Sequence, residues 1–257
     1  MSRRRFYAPV EAFSADYVTL AAAEARHLRD VLRLGPGDEI CVFDGEGREF
    51  QCVIEESRRD WANLRLIEEV SAARPESPLD LTLAIALLKG EKFDLVVQKA
   101  TELGVTRIQP VVTQRGDVRL RDEQDAKRVT RWQRIALEAA KQSGRARVPE
   151  VAAPVSFSSL VEGRSSPVST AAENDAHLLM FSERDGQPLA EVFKPLGAIS
   201  LPFTALVGSE GGWTDEEIAH ARAAGWGIVT LGGRVLRAET AAITVVVLLQ
   251  HRLGDLT

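Results

Sequence analysis

Apolar and polar positions alternate along the first 70 or so residues and run in longer blocks afterwards. Residues 39–44 (EICVFD) read as a strand, residues 45–47 (GEG) as a turn and residues 48–56 as the returning strand. On the return, Phe50, Cys52 and Ile54 alternate with Gln51, Val53 and Glu55. Residues 61–70 make a third strand, with Ala62, Leu64 and Leu66 set against polar neighbours. Before these, residues 21–34 predict a short helix with Leu28, Val31 and Leu32 on one face and Gly35 at its end. Short strands joined by tight turns predict a small sheet or barrel. Residues 71–78 (SAARPESP) carry two prolines and no apolar periodicity, the mark of an interdomain linker.

Beyond residue 78 the pattern changes. Residues 81–88 (LTLAIALL) form a continuous apolar run, as in a strand covered on both faces. A helix over residues 91–103 follows, with Phe93, Val96, Val97, Ala100 and Leu103 at helical spacing and Gly104 closing it. Residues 105–112 predict a second strand. Residues 126–143 predict a long helix burying Trp132, Ile135, Ala136, Ala139 and Ala140, with Lys127, Arg131, Arg134 and Lys141 on its other side. Residues 163–175 are polar, low in complexity and expected to be mobile. Further strands are expected at 177–181, 203–207 and 227–231, and an apolar helix from Ala241. Strands alternating with helices predict an α/β domain with a mainly parallel sheet. The expected domains are residues 1–72 and residues 78–257.

Composition narrows the class. The chain has 257 residues, 45% hydrophobic and 27% charged, as in soluble globular proteins. Its longest apolar run, residues 241–249 (AAITVVVLL), is too short for a membrane span. The start of the chain lacks the apolar core of a signal peptide, and the two cysteines read as reduced thiols, so a cytoplasmic location is expected. Cysteines and histidines show no zinc-site spacing, and no metal is expected. Net charge is −5, which argues against an indiscriminate nucleic-acid coat. Yet residues 115–147 hold ten bases against five acids, a basic patch suited to a partner that docks in one place.

Ligands of open parallel sheets bind at the carboxyl ends of the strands. Two loops there stand out. GSEGGWTDEE begins at Gly208 and packs three glycines into five residues, with Thr214 and Glu217 spaced as a capping box. LGGRVLRAET, residues 231–240, gathers Arg234, Arg237 and Glu239 before the apolar helix. Two such loops in one domain predict a shared ligand cleft. The common nucleotide and hydrolase signatures, GxGxxG, GxxxxGK[ST] and GxSxG, are absent.

These loops, with KGEKFDLVVQKATELGV (residues 89–105) and RWQRIALEAAKQSGR (residues 131–145), closely resemble the bacterial 16S rRNA uridine-N3 methyltransferase family, of the SPOUT class of knotted RNA methyltransferases. HLRDVLRLGPGDEICVFDG (residues 27–45) resembles that family's PUA-like domain, so the resemblance covers nearly the whole chain. Ser209 and Gly233 stand where the family usually has proline. The resemblance implies an α/β fold with a SPOUT-type knotted parallel-sheet domain preceded by a small PUA-like β-barrel. It also implies S-adenosylmethionine as cofactor, a C-terminal trefoil knot, a homodimer and 16S rRNA of the small ribosomal subunit as partner. The cofactor-binding positions it implies are Val207, Gly208, Glu210, Gly211, Gly212, Leu231, Gly232, Leu236 and Thr240.

Methylating N3 of uridine requires removal of its proton and stabilisation of the charge left on the base oxygens. An arginine suits the second task, being permanently charged and matched to oxygen acceptors. Arg237 is the first candidate and Arg234 the second. Glu239 and Glu210 are both candidates to accept the proton or orient an arginine. Arg3, Arg4, Arg5, Arg29, Arg115, Arg131, Arg134 and Arg145 are candidates for RNA phosphate contacts, beside Arg26 and Arg33. Two other readings remain open: a SPOUT enzyme acting on a ribose 2′-oxygen, and a catalytically silent RNA-binding protein of the same fold.

Overall fold

A computed structural model describes residues 4–119, 122–163, 177–194 and 202–256. The polar segment expected to be mobile therefore lies almost wholly outside the described residues, as do Arg3 and Arg121. The chain forms two compact units: the residues through Glu76 together with Leu137–Val148, and Ser77–Ala136 together with the residues from Pro149 onward.

The first unit contains β1 (Arg5–Tyr7), β2 (Tyr17–Ala21), α1 (Ala22–Arg26), β3 (Glu39–Phe43), β4 (Glu49–Ser57) and β5 (Trp61–Val70). Its strands form a five-stranded sheet in the order β1-β3-β4-β5-β2. The inward side chains Val18, Leu20, Ile40, Val42, Cys52, Ile54, Ala62 and Leu64 close over Phe6 and Leu28 as one core. Alternation predicted β3, β4 and β5; β1 is too short to carry a periodic signal, whereas β2 alternates clearly, with Val18 and Leu20 buried, and lies outside the predicted strands. The predicted helix is also shorter than its pattern. A π-helical turn over His27–Val31 follows α1, and Arg33 then takes a left-handed φ of 55°. The wider turn breaks the 3.6-residue spacing, so Leu28 and Leu34 are buried while Val31 and Leu32 face solvent.

Residues 71–76 are not a free linker. Ala73 N–H donates to Glu49, Arg74 N–H to the Gly144 carbonyl, and Arg145 donates to Glu76 at 2.7 Å. Arg5 lies in the same network, bound to Glu49 and to the carbonyls of Lys141 and Arg145. The Arg5 and Arg145 side chains are only 8% and 5% exposed, so neither is a phosphate contact as expected from the sequence. Both are structural cations whose partners are internal.

The second unit holds β6 (Leu81–Ala86), α2 (Lys92–Glu102), β7 (Arg107–Val112), α3 (Asp122–Ser143, whose last turns belong to the first unit), β8 (Glu150–Val151), β9 (Val155–Ser156) and α4 (Phe157–Val161). There follow β10 (His177–Phe181), β11 (Gln187–Pro188), α5 (Leu189–Phe193), β12 (Phe203–Val207), α6 (Asp215–Ala223), β13 (Gly227–Thr230) and α7 (Ala238–Leu253). The sheet order is β11-β13-β10-β12-β6-β7-β8, with β9 also on β7, and every pairing is parallel. Helices cover the sheet, which explains why nearly all of β6 is buried. Trp132, Ala136, Ala139 and Ala140 of α3 are buried as their spacing predicts, whereas Ile135 is only half-buried. Helix α7 buries Ala242, Val245, Val246 and Leu249 but leaves Val247 exposed. No helix among the described residues is long and apolar enough to cross a membrane.

Candidate active site

β10, β12 and β13 lie side by side, and their carboxyl ends are level. Phe181 is in register with Val207 of β12 and Val229 of β13. The loops that leave these ends enclose a cleft of about 260 Å³. Of the positions expected to bind cofactor, Val207, Gly208, Glu210, Gly211, Gly212, Leu231, Gly232 and Leu236 line it. Thr240 does not; it is exposed in the first turn of α7.

The first loop is shaped by its glycines and by Trp213. At Gly212 φ is +66°, and a Cβ would lie 2.8 Å from Glu183 Oε1. At Gly208 a Cβ would press to 3.0 Å from the Trp213 ring. That indole is 1% exposed and donates from Nε1 to the Phe181 carbonyl at 2.8 Å, which ties the loop to the end of β10. Arg184 donates to the Trp213 carbonyl and pairs with Asp215 at 2.6 Å. Glu183, Arg184 and Trp213 are not among the predicted site residues, because they follow a short strand or sit inside a loop without a pattern of their own.

The capping box of α6 is present, with Thr214 and Glu217 exchanging hydrogen bonds. The buried Glu217 carboxylate also accepts from Gln114 N–H at 2.9 Å. Arg115, expected to touch RNA, donates to the Gly211 carbonyl at 3.3 Å and is otherwise exposed. The loop after β7 is thereby fixed against the glycine loop.

Glu210 reaches out of the cleft to Lys92 at the start of α2. The hydrogen bond from Lys92 holds the Glu210 carboxyl below the usual carboxylate range, and the same contact raises the Lys92 ammonium. The three catalytic candidates are not gathered at one point. Arg234 lines the cleft. Arg237 is exposed at the N-cap of α7, where its carbonyl accepts from Ala241 N–H. Glu239 faces an adjoining depression that it shares with Lys92, Leu95, Gln98 and Ile135. Its Oε2 is enclosed and has no hydrogen-bond partner among the described residues.

Among the other arginines, Arg4 and Arg134 are exposed. Arg131 is exposed but ion-paired with Asp94, and Arg29 is paired with Asp30 at 2.7 Å. Arg128 and Lys141 are likewise matched to Asp125 and Glu24, so the basic run of residues 115–147 is partly neutralised by the fold.

A parallel sheet with a cleft at adjacent strand ends, in a chain with a separate small β unit, defines a class that the family models name. The RNA methyltransferase domain model matches residues 75–250, and the RNA methyltransferase PUA domain model matches residues 20–66. The chain is 39% identical to ribosomal RNA small subunit methyltransferase E of Synechocystis sp. over 241 residues, covering 94% of this chain and 75% of that protein. It is 31% identical to the Bacillus subtilis protein of the same name over 229 residues, 88% of this chain and 86% of that one. The crystal structure of the Neisseria gonorrhoeae ribosomal RNA small subunit methyltransferase E bound to S-adenosyl methionine superimposes with a TM-score of 0.84 at 34% identity, over 100% of both chains. The chain belongs to the ribosomal RNA small subunit methyltransferase E family, with a PUA-like domain ahead of a SPOUT-type methyltransferase domain.

Proposed function

We infer that this enzyme transfers a methyl group from S-adenosylmethionine to N3 of a specific uridine in 16S rRNA. The observation that carries the reading is the cleft at the level ends of β10, β12 and β13, in a chain of this family. Its chemistry suits the cofactor. Val207, Leu231, Leu236 and Ala238 offer apolar walls for an adenine ring. The glycine backbone of residues 208–212 brings N–H and C=O groups to the polar ends. When bound, S-adenosylmethionine supplies an electrophilic methyl group on a sulfonium sulfur.

The protein's own groups do the rest. Arg237, with Arg234 beside the cleft, stabilises the charge that develops on the uracil oxygens. Lys92 keeps Glu210 ionised and engaged. Glu239 and Glu210 are the two candidates to accept the N3 proton or to orient an arginine, Glu210 on the cleft wall and Glu239 in the depression beside Lys92. Arg4, Arg29, Arg115, Arg131 and Arg134 meet RNA phosphates. The chain works as a knotted homodimer in the cytoplasm, on small-subunit rRNA. Support for the knot comes from the family to which the chain belongs. Support for the dimer comes from the exposed Val247 of α7 and Leu95 of α2, apolar side chains that a second copy would cover.

The experiment is methylation of small-subunit rRNA from cells lacking the enzyme, naked and in 30S particles, with mass mapping of the product. The expected product is N3-methyluridine. A ribose 2′-O-methyl product would replace the acceptor, and no cofactor binding by calorimetry would leave a silent RNA-binding protein.

A further inference from the structure

The outward face of β5 and β2 carries a row of side chains with no role in the core. Along β5, Trp61, Asn63, Arg65 and Ile67 point away from the buried Ala62 and Leu64. On the neighbouring strand Tyr17, Thr19 and Ala21 face outward, and Val18 and Leu20 inward. The antiparallel register sets Tyr17 against Arg65, Thr19 against Asn63 and Ala21 against Trp61. This face is thus a ladder of two aromatic rings, an amide, a hydroxyl and a guanidinium. The rings stand four residues apart along β5, roughly 13 Å at the rise of an extended strand.

Trp61 differs from the other tryptophans. It is 38% exposed, whereas Trp132, Trp213 and Trp226 are each 5% exposed or less. Its indole is thus the one tryptophan ring among the four that a ligand can reach. Arg58 and Arg59 form the turn into β5, with Arg58 N–H donating to the Trp61 carbonyl. Arg26 of α1 reaches Asp60 at 3.9 Å. Arg26, Arg58 and Arg65 are about half exposed or more, each beside a single exposed carboxylate. Such pairs are weak, and a phosphate can replace the carboxylate.

We propose that this face of β2 and β5 seats an unpaired strand of the substrate RNA, with a base stacked on Trp61 and phosphates met by Arg26, Arg58 and Arg59. Aromatic rings interleaved with hydrogen-bonding and cationic side chains suit single-stranded nucleic acid, whose bases offer both a π-face and polar edges. The proposal rests on the RNA methyltransferase reading but concerns a surface outside the cleft.

Trp61 is also the probe. In the full chain its emission should be quenched on titration with a single-stranded, uridine-rich RNA 12-mer. Trp61→Phe should abolish that quench. Trp61→Ala should weaken binding about tenfold, with Trp61→Tyr recovering most of it. Arg59→Ala should lower the salt dependence of binding by the equivalent of about one phosphate contact. Arg59 is exposed and Trp61→Tyr keeps most of the ring packing, so Arg59→Ala and Trp61→Tyr should melt at the wild-type temperature. Methylation of small-subunit rRNA by Trp61→Ala should show a raised KM with turnover retained. RNA binding by Trp61→Ala at wild-type strength, or unquenched Trp61 emission at saturating RNA, overturns the proposal. So does equal binding of a 12-base-pair RNA duplex. Trp61-dependent RNA binding by a protein that methylates no rRNA would instead sink the methyltransferase reading and leave this surface standing.

Discussion

Lys92 Nζ lies 2.5 Å from Glu210 Oε1, so the start of α2 holds the glycine loop of the cleft from outside. The pair is exposed and adds little to global stability, but it fixes the loop's position. Lys92→Met should weaken S-adenosylmethionine binding by up to about fivefold, with an unchanged melting temperature. The pH dependence follows from the two shifts. Glu210, with its pKa lowered by Lys92, contributes above the ordinary carboxylate value of about 4.3, and the contribution is lost as pH falls through its own lower pKa. Lys92, with its pKa raised by Glu210, contributes below about 10.4, and that is lost as pH rises through its own higher pKa. Calorimetric affinity should therefore be flat across neutral pH and fall only at the extremes. A Lys92→Met protein with wild-type affinity would show that the loop needs no such hold.

Gly212→Val should abolish cofactor binding while leaving a folded protein. The position has a left-handed φ and a Cβ there would meet Glu183 at the cleft wall. Circular dichroism checks the fold and calorimetry the binding. Unchanged affinity would place the cofactor elsewhere.

Arg237→Ala is expected to cut single-turnover methylation by about 100- to 1,000-fold at saturating cofactor, with little change in cofactor affinity. Arg237→Lys should rescue little, since a point charge does not reproduce the planar fork. Arg234 lines the cleft directly, so Arg234→Ala should raise the cofactor dissociation constant as well. Near-normal turnover by Arg237→Ala would transfer the charge-stabilising role to Arg234.

Arg5→Ala should destabilise the first unit and leave RNA binding per folded molecule unchanged. Arg5 and Glu49 form a 3.0 Å pair with side chains 8% and 0% exposed. Removing one partner leaves the other charge buried, a cost of about 3–5 kcal/mol. Urea denaturation measures the loss. A stable Arg5→Ala protein with a reduced salt dependence of RNA binding would return Arg5 to the RNA interface.

Much of this architecture is written in local pattern. The alternation of Phe50, Cys52 and Ile54, the unbroken run of β6 and the helical spacing of Phe93, Val96, Val97 and Ala100 each reflect which face is buried, and burial leaves a period in sequence. The glycine loops and the Thr214–Glu217 cap were legible too, because a left-handed turn and a helix start demand particular residue types. Tertiary structure decided what depends on partners distant in sequence. Arg5 and Arg145 look like surface cations until Glu49 and Glu76 are found beside them, 44 and 69 positions away. Val31 and Leu32 keep helical spacing, yet a π-helical turn rotates them into solvent. Trp213 became part of the cleft only because β10 inserts beside β12 and offers it the Phe181 carbonyl. Charge and hydropathy record a residue's own preference, whereas its role depends on which groups the fold places within hydrogen-bonding distance.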